Sequence, residues 1–238
     1  MVRSGPTSDE VDRLHQVYAG YGEDPSAQRR WSESNQGNQA MRAERATRVR
    51  GMLRAAGRPP LGEQHVLELG CGSGQVLIDL VGPSTIPGTV IGLDLSEDRL
   101  RSAGRSLPLL PFVCAEGSAL PFRTGYFDVV LAFTVFSSVL DDQLARHMAD
   151  EIGRVLRPGG ALLWYDLRWP NPWNRHTRAW RRRAVDDLFS GFTVVVEPIT
   201  VLPPLARRLG SATERVYPRL GRVRALTSHY LGVIAKPS

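Results

Sequence analysis

A glycine-rich turn between an apolar strand and a helix is the feature that most narrows the fold of this chain. The stretch VLELGCGSGQVL, residues 66–77, places Gly70, Gly72 and Gly74 between a short apolar run and a helical one. Glycines let the backbone turn sharply there and bring the free N–H groups of a helix N-terminus close to a polar ligand. The dinucleotide-binding fingerprint needs glycine where Gln75 stands, and the Gly-Lys-Ser/Thr of a P-loop is absent. The turn therefore predicts a ligand site of another kind.

Strand-like and helix-like segments alternate after this turn. Apolar strands are predicted over HVLELG, GTVIGLDL, PFVCAE, YFDVVLAFTVF, ALLWYDLRW, FTVVVEPITVL and TSHYLGVIAKP. Helices are predicted over GQVLIDLVG, SEDRLRSAGRSL and DDQLARHMADEIGRVL, with Ser96 and Asp141 as N-caps. This alternation predicts an α/β fold, a Rossmann-like doubly wound sheet that is mostly parallel and covered by helices on both faces. The pattern alone does not set the direction of the last two strands.

The chain divides into three predicted segments. Residues 1–9 are expected to be a flexible tail, residues 10–56 an N-terminal helical lid, and residues 60–238 the α/β domain. In the lid, Tyr18 or Trp31 could close on a substrate, and the turn from Asn35 to Asn38 could approach a ligand carboxylate. Ordinary helix packing is the alternative interpretation of these residues.

Composition limits the possible partners. The chain has 238 residues, 42% of them apolar, and carries a net charge of +6. We find no apolar run of the ~18 residues that span a bilayer and no apolar core of a signal peptide, so we expect a cytoplasmic protein without a membrane partner. Its basic residues, of which only Lys236 is a lysine, have acids nearby, so we expect no nucleic-acid partner. We expect a monomer or homodimer. Cys71 and Cys114 form no CxxC motif and are expected to be reduced, with no metal site.

Three carboxylates follow consecutive predicted strands. Glu68 precedes the glycines, Asp94 closes the second strand, and Glu116 follows the third. A carboxylate in the position of Asp94 can accept hydrogen bonds from both ribose hydroxyls, and Glu116 can accept one from an adenine amine. Each acid alone could be a solvated loop residue. Together with the glycines, they indicate a nucleoside-containing ligand.

Five consecutive stretches give the chain a specific resemblance. VLELGCGSG, VIGLDLS, AEGSALPF, FDVVLAF and EIGRVLRPGGALLW are similar, in order and spacing, to motifs of the class I S-adenosylmethionine-dependent methyltransferases. The resemblance covers residues 60–167. It implies the strand order 3-2-1-4-5-7-6 with strand 7 antiparallel, and S-adenosylmethionine as the cofactor.

The resemblance also implies a cofactor site. Glu68 and the glycine loop would surround the methionine part, Asp94 would bind the ribose, and Glu116 would contact the adenine edge. Glu116 departs from the aspartate that related sequences often carry. The residues implied in cofactor binding are Glu68, Gly70, Cys71, Gly72, Gly74, Asp94, Leu95, Glu116, Gly117, Ala132 and Phe133.

A tryptophan-rich stretch at the end of the fifth predicted strand is the expected acceptor wall. In WYDLRWPNPWNRHTRAW, residues 164–180, the predicted catalytic residues are Asp166, Asn171 and His176, because such groups can orient or deprotonate an acceptor. The residues predicted to contact the substrate are Trp31, Ser137, Trp169, Trp173 and Asn174. The other four histidines, His15, His65, His147 and His229, are predicted to be structural.

Each of these residues also has a plainer interpretation. Asp166 or Asn174 could cap the following helix, and Trp164 and Trp180 could cover the sheet edge. Ser137 could belong to a turn before Asp141.

The sequence thus predicts a metal-independent methyltransferase that acts on a small molecule, at an oxygen, in specialised metabolism or glycan tailoring. Transfer to nitrogen or carbon is the first alternative, and a non-catalytic cofactor-binding partner protein is the second. An RNA methyltransferase is the third, although AFTVF stands after strand four where a base-methylating enzyme would carry Asn/Asp-Pro-Pro-aromatic.

Overall fold

A computed structural model describes residues 6–23, 32–82 and 89–238. Within these ranges seven strands form one sheet, in the order β3-β2-β1-β4-β5-β7-β6. The strands are β1 (Val66–Leu69), β2 (Val90–Asp94), β3 (Phe112–Cys114), β4 (Phe127–Phe133), β5 (Leu156–Leu167), β6 (Thr193–Val201) and β7 (Thr227–Ala235). The predicted order is confirmed.

The helices of the described residues lie on both faces of this sheet. They are α1 (Pro6–Glu23), α2 (Gln36–Ala55), α3 (Gln75–Leu80), α4 (Glu97–Ser106), α5 (Asp142–Val155), α6 (Arg182–Leu188), α7 (Pro203–Ala206) and α8 (Thr213–Leu220). The expected caps are present, because the side chains of Ser96 and Asp141 accept hydrogen bonds from the first turns of α4 and α5. None of these helices is long and apolar enough to cross a bilayer.

Strand direction brings the ligand-facing loops to one edge. β1 to β5 run parallel, whereas β7 is antiparallel to both β5 and β6. The carboxyl ends of β1, β2, β3 and β4 therefore meet at the same edge of the sheet, where ligands of doubly wound folds bind.

The two faces of the sheet bury different hydrophobic clusters. Along β4, Val130 and Ala132 belong to one cluster, and Val129, Leu131 and Phe133 to the other. This alternation follows from the two-residue period of a strand.

The N-terminal helices divide between these clusters. Leu14 of α1 packs in the first, together with α5 and α6, whereas Val49 and Leu53 of α2 pack in the second. The two helices therefore cover opposite faces of the sheet.

Two element boundaries differ from the sequence prediction. Helix α1 begins at Pro6, inside the segment expected to be a tail. Strand β5 begins at Leu156, earlier than predicted, because a register shift between Phe127 and Val129 lets Leu156 pair with β4 ahead of Gly159 and Gly160.

Candidate functional site

A large cavity lies at the carboxyl edge of the parallel strands. Its volume is about 1020 Å³, at the upper end of the range for small-molecule sites. It is lined by the ends of β1, β2 and β4, by the loop after β3, by the first turn of α4 and by α1. Of the cofactor residues implied by the sequence, those that line it are Gly70, Asp94, Leu95, Glu116, Gly117 and Phe133.

The glycine loop has the conformation that its sequence suggests. Gly70, Gly72 and Gly74 all have positive φ, at 69°, 54° and 83°, a region that residues with a Cβ rarely adopt. Space is also tight: a Cβ on Gly70 would lie 2.7 Å from a methyl group of Val135, and one on Gly72 would overlap the guanidinium of Arg99. The loop thus presents bare backbone beside the cavity.

Asp94 fixes the shape of this loop. One carboxylate oxygen accepts a hydrogen bond from the Gly72 N–H at 2.8 Å, and the other accepts one from the Ser96 N–H at 3.0 Å. The side chain lines the cavity although the residue is buried. Because a carboxylate has about four lone-pair positions, Asp94 can still accept bonds from a ligand.

The wall beyond β2 and β3 combines an apolar surface with an acid. Leu95 and Ala115 line it beside Glu116, and the Ser118 hydroxyl lies 3.4 Å from a Glu116 carboxylate oxygen. Gly117 lies close to Met148 of α5. A Cβ added to Gly117 would lie 3.0 Å from the terminal methyl carbon of Met148. This arrangement suits a flat ring with a polar edge.

Glu68 lies behind the loop rather than in the cavity wall. It is 2% exposed, and one of its carboxylate oxygens makes no hydrogen bond within the described part of the chain. Burial raises the pKa of Glu68 to about 8, against the opposing charge of Arg45 on α2. A proton is therefore held on this side chain at neutral pH, and a cationic group nearby would favour its release.

The other implied cofactor residues lie around the same loop. Cys71 is buried, and burial raises the pKa of its thiol, so the thiol stays protonated. Ala132 is buried in β4. Phe133 lines the cavity, its ring packs against the Tyr165 ring, and the Arg45 guanidinium lies over both rings. Both cysteines are free.

These groups fit the cofactor that the resemblance implies. The bare glycine loop, the Asp94 carboxylate and the Glu116 carboxylate with its apolar wall suit an amino-acid end, a ribose and an adenine, in that order. The orphaned carboxylate oxygen of Glu68 is a further acceptor close to the loop.

Helix α1 forms the wall opposite the glycine loop. Tyr18, which the sequence analysis suggested could close on a substrate, lines the cavity. Its hydroxyl donates a hydrogen bond to the Ser138 Oγ at 2.8 Å. The guanidinium of Arg99 stacks over the Tyr18 ring at 4.9 Å. His15, which the sequence predicted to be structural, is exposed and also lines the cavity.

The sequence offered one signal for Arg99. It is a cation in the first turn of α4, where the helix dipole disfavours positive charge. His15 gave no such signal, because its role depends on how α1 packs.

The predicted catalytic residue Asp166 is buried beneath the loop that follows β4. It is 0% exposed, and its oxygens accept hydrogen bonds from the N–H groups of Ser137 at 3.0 Å and Leu167 at 2.8 Å. Burial raises its pKa to about 6 against these bonds. Asp166 is therefore placed to hold the loop, and it is not among the described residues that line the cavity.

The tryptophan-rich stretch separates into a buried and an exposed part. Trp164 and Trp180 pack on Phe136 in the core under α5 and α6, whereas Trp169 is 47% exposed and Trp173 is 82% exposed. Trp164 and Trp180 are thus core residues, whereas the alternative drawn from the sequence was that they cover the sheet edge.

The polar residues of this stretch shape its turns. The side chains of Asn171 and Asn174 accept hydrogen bonds from the N–H groups of Trp173 and His176, and His176 is partly buried. None of these residues appears among the described cavity-lining residues.

The remaining predicted residues lie elsewhere. Ser137 is buried and contacts Asp166, and Trp31 lies outside the described residues. The side chains of Asn35 and Asn38 contact Arg207 beyond α7 rather than the cavity. Across residues 6–23, 32–82 and 89–238, no group of three or more His, Cys, Asp or Glu side chains could hold a metal ion.

Comparison with known proteins gives the same picture. Residues 66–160 match a family model described as a methyltransferase domain. A phthiotriol/phenolphthiotriol dimycocerosates methyltransferase from Mycobacterium ulcerans is 39% identical over 48% of this chain and 42% of its own. The O-methyltransferase cnsE of Penicillium expansum is 31% identical over 63% of this chain and 51% of its own.

Solved structures extend the likeness of fold beyond the matched motifs. An S-adenosylmethionine-dependent methyltransferase from Mesorhizobium loti superposes with a TM-score of 0.59 at 18% identity, over 80% of this chain and 96% of that one. The chain spans about half the length of the curated relatives it matches. The match identifies residues 66–160 as similar to a methyltransferase domain, and the sheet order and the glycine loop are those that the resemblance to class I S-adenosylmethionine-dependent methyltransferases implies.

Proposed function

We propose that this protein transfers a methyl group from S-adenosylmethionine to a small-molecule acceptor. The observation that carries the proposal is the meeting of the glycine loop, Asp94 and Glu116 in one cavity. When bound, the cofactor supplies an activated methyl group. The contribution of the chain is then mainly to align the two reactants and exclude water.

Cofactor binding is assigned to the residues around the glycine loop. The Asp94 carboxylate accepts from the ribose, the Glu116 side chain and the Gly117 backbone contact the adenine, and Leu95 packs on its face. Glu68 accepts from the amino group of the methionine part, which would draw off the proton that burial retains on Glu68.

The acceptor enters between α1 and the loop after β4. Val11, Leu14, Val135 and Val139 give this side of the cavity an apolar surface, which suits an acceptor with an apolar body. Relatives named for phthiotriol/phenolphthiotriol dimycocerosates and for O-methyl transfer support an apolar acceptor and an oxygen as the methylated atom. A role in specialised metabolism or glycan tailoring remains part of the proposal.

A hydroxyl acceptor needs a proton acceptor nearby. His15 carries the one imidazole among the described residues that line the cavity, and Tyr18 lies a helical turn away. We assign His15 as the base candidate and Asp166 as a positioning residue that holds the loop after β4. Asn171 and His176, with Trp169, Trp173 and Asn174, remain predicted acceptor contacts on the neighbouring connection.

Substitution of Asp94 tests the proposal most directly. Asp94→Ala removes the ribose acceptor and the bond that shapes the loop, so the Kd for S-adenosylhomocysteine should rise at least tenfold, or about 1.4 kcal/mol. Calorimetry measures this, and circular dichroism verifies the fold. Glu97→Ala is the matched control, an exposed acid that also lines the cavity; equal affinity in both variants would overturn the ribose assignment.

Turnover decides the reaction. The protein is incubated with methyl-labelled cofactor and a panel of phenols, alcohols, amines and compounds with a nucleophilic carbon atom. A hydroxyl compound should become labelled. Label on nitrogen or carbon would replace the oxygen assignment. Tight cofactor binding with no labelled product across the panel would favour a non-catalytic binding protein.

A further inference from the structure

An exposed patch of indoles and guanidiniums lies outside the described lining of the cavity. We define the basic aromatic surface as a set of exposed aromatic, arginine and valine side chains from residues 169–183 and 222–224. Its members are Trp169, Trp173, Arg175, Arg181, Arg183, Arg222, Val223 and Arg224.

Charge along the first of these segments has one sign. From Leu167 to Val185 the chain contains six arginines and no Asp or Glu, and two of the six, Arg178 and Arg182, form ion pairs with Asp142 and Asp186. Arg175, Arg181 and Arg183 are exposed. A run of this kind creates a positive surface potential that attracts anionic partners.

The aromatic members are unusually exposed for their size. Trp173 is 82% exposed and Trp169 is 47% exposed, on a turn stiffened by Pro170 and Pro172. An indole exposes a large apolar area to water and carries one polar N–H group. Such side chains are stabilised at a boundary between water and an apolar medium.

One arginine joins the two segments of the surface. The Arg168 guanidinium stacks over the Trp169 ring at 4.7 Å and donates a hydrogen bond to the Arg224 carbonyl at 2.9 Å. Trp169 and the turn around Val223, which is 47% exposed, therefore lie side by side.

The surface also lies on the same edge of the sheet as the cavity. The connection leaves the carboxyl end of β5, and the Arg178 N–H donates to the Ser137 carbonyl at 2.8 Å. Ser137 belongs to the loop after β4 that forms one cavity wall through Val135 and Ser138.

We propose that the basic aromatic surface binds the surface of an anionic lipid bilayer. The guanidiniums would meet lipid phosphates, and the two indoles would enter the interface, as interfacial Trp and Arg side chains do. This departs from the expectation, based on sequence, of no membrane partner. Indoles can also stack on the bases of single-stranded RNA, so we assign lipid from the position of the surface at the edge of a cavity that contains apolar residues, and RNA is an outcome of the test.

The position of the surface has a consequence for the acceptor. A protein bound in this way presents its cavity edge to the bilayer, so apolar acceptors dissolved in lipid can reach it. That consequence rests on the proposed function. Lipid binding itself is measured without methyl transfer, so the two ideas can fail separately.

Vesicle co-sedimentation tests the proposal with the whole chain. The protein should bind vesicles of phosphatidylcholine with phosphatidylglycerol and should not bind phosphatidylcholine alone, and tryptophan fluorescence should shift to the blue on binding. Trp169→Ala with Trp173→Ala should lower the binding constant at least tenfold. Arg175→Gln with Arg183→Gln should lower it about tenfold at low salt.

Matched controls separate the surface from general effects of charge and exposure. Leu109→Ala removes a side chain that is 60% exposed elsewhere, and Arg105→Gln removes an exposed charge on α4. Neither should change vesicle binding. Absence of vesicle binding by the folded chain would overturn the proposal.

RNA binding is the competing outcome. Binding of oligouridine without binding of vesicles, lost in both the arginine and the tryptophan variants, would identify a nucleic-acid site and overturn the lipid assignment.

Discussion

The two N-terminal helices are neighbours in the chain, but they attach to the sheet in different ways. Helix α1 forms a wall of the cavity and contacts the loop after β4 through side-chain hydrogen bonds. Arg13 donates to the Ser138 carbonyl at 2.5 Å, and the Glu10 carboxylate accepts from the Leu140 N–H at 2.6 Å. Burial alone would raise the pKa of Glu10, but the Arg13 and Leu140 hydrogen bonds hold it below its ordinary value.

Helix α2 is attached through its backbone and through buried polar groups. A Cβ on Gly37 would overlap the carbonyl of Ala206 in α7. The Glu44 carboxylate accepts hydrogen bonds from the Tyr217 hydroxyl at 2.7 Å and the Thr200 N–H at 3.2 Å. None of the described residues that line the cavity comes from α2.

The two helices therefore differ in how firmly they are held: we expect α1 to be able to move and α2 to be fixed in the core. Helix α1 packs Leu14 in the core and also contacts the loop after β4 and the ligand space, so we expect its position to depend on what fills the cavity. Helix α2 packs against backbone and core, so moving it would break the core. Only α1 therefore fits the role of lid that the sequence suggests for residues 10–56.

The largest expected effect comes from a glycine in α2. Gly37→Ala would force Cβ into the α7 backbone and should cost about 3 kcal/mol, which lowers the melting temperature by about 6–12 °C. Differential scanning calorimetry measures the change. Gly51→Ala in the same helix and Gly20→Ala in α1, both with open space at Cβ, should leave the melting temperature equal or higher. An unchanged Gly37→Ala protein would refute the close attachment of α2.

A second effect concerns the pH dependence of stability. Because burial raises the pKa of Glu68 to about 8, the folded protein retains a proton that the unfolded chain loses near 4.5. The free energy of unfolding should therefore fall as pH rises towards 8, by about 2 kcal/mol between about pH 6.5 and 8, and level off above. Glu68→Gln should remove this slope in urea titrations.

The same slope distinguishes the two helices. Arg45 of α2 opposes the rise in the pKa of Glu68, so Arg45→Gln should extend the fall above pH 8. Arg13→Gln in α1 should leave the slope unchanged. If the α1 variant altered it instead, the assignment of Glu68 to the α2 face would be wrong.

The smallest expected effect is on α1 itself. Tyr18→Phe removes one hydrogen bond to Ser138, worth about 1 kcal/mol, and should weaken S-adenosylhomocysteine binding about fivefold while lowering the melting temperature by at most about 4 °C. Ser138→Ala should have the same effect, and the double variant no further one. Additive losses would show that this bond does not hold α1. Hydrogen exchange should rise in α1 and stay constant in α2.

Local pattern was enough to predict the sheet and the cofactor side of the site. Continuous apolar strands such as β4 have to be buried on both faces, so the pattern predicted a mostly parallel sheet covered by helices, and the resemblance to a known family implied its strand order. Asp94 and Glu116 could be found because each follows a strand whose end has a fixed place at the sheet edge.

The acceptor side depended on contacts between distant parts of the chain. His15 lines the cavity because α1 packs against α5, and no local pattern encodes that contact. The same holds for Asp166, whose carboxylate was predicted to face an acceptor and instead accepts hydrogen bonds under the loop after β4.

Sequence by itself therefore determined the alternation of strands and helices, the glycine turn and the acids at the strand ends, because spacing along one chain fixes them, whereas the strand order came from the resemblance to a known family. Tertiary structure alone decided which face each N-terminal helix covers and which tryptophans are buried. Trp164 and Trp180 complete a hydrophobic core with Phe136, whereas Trp169 and Trp173, of identical chemistry, face solvent. The physical reason is that burial depends on the surfaces available to a side chain, and those surfaces come from other parts of the chain.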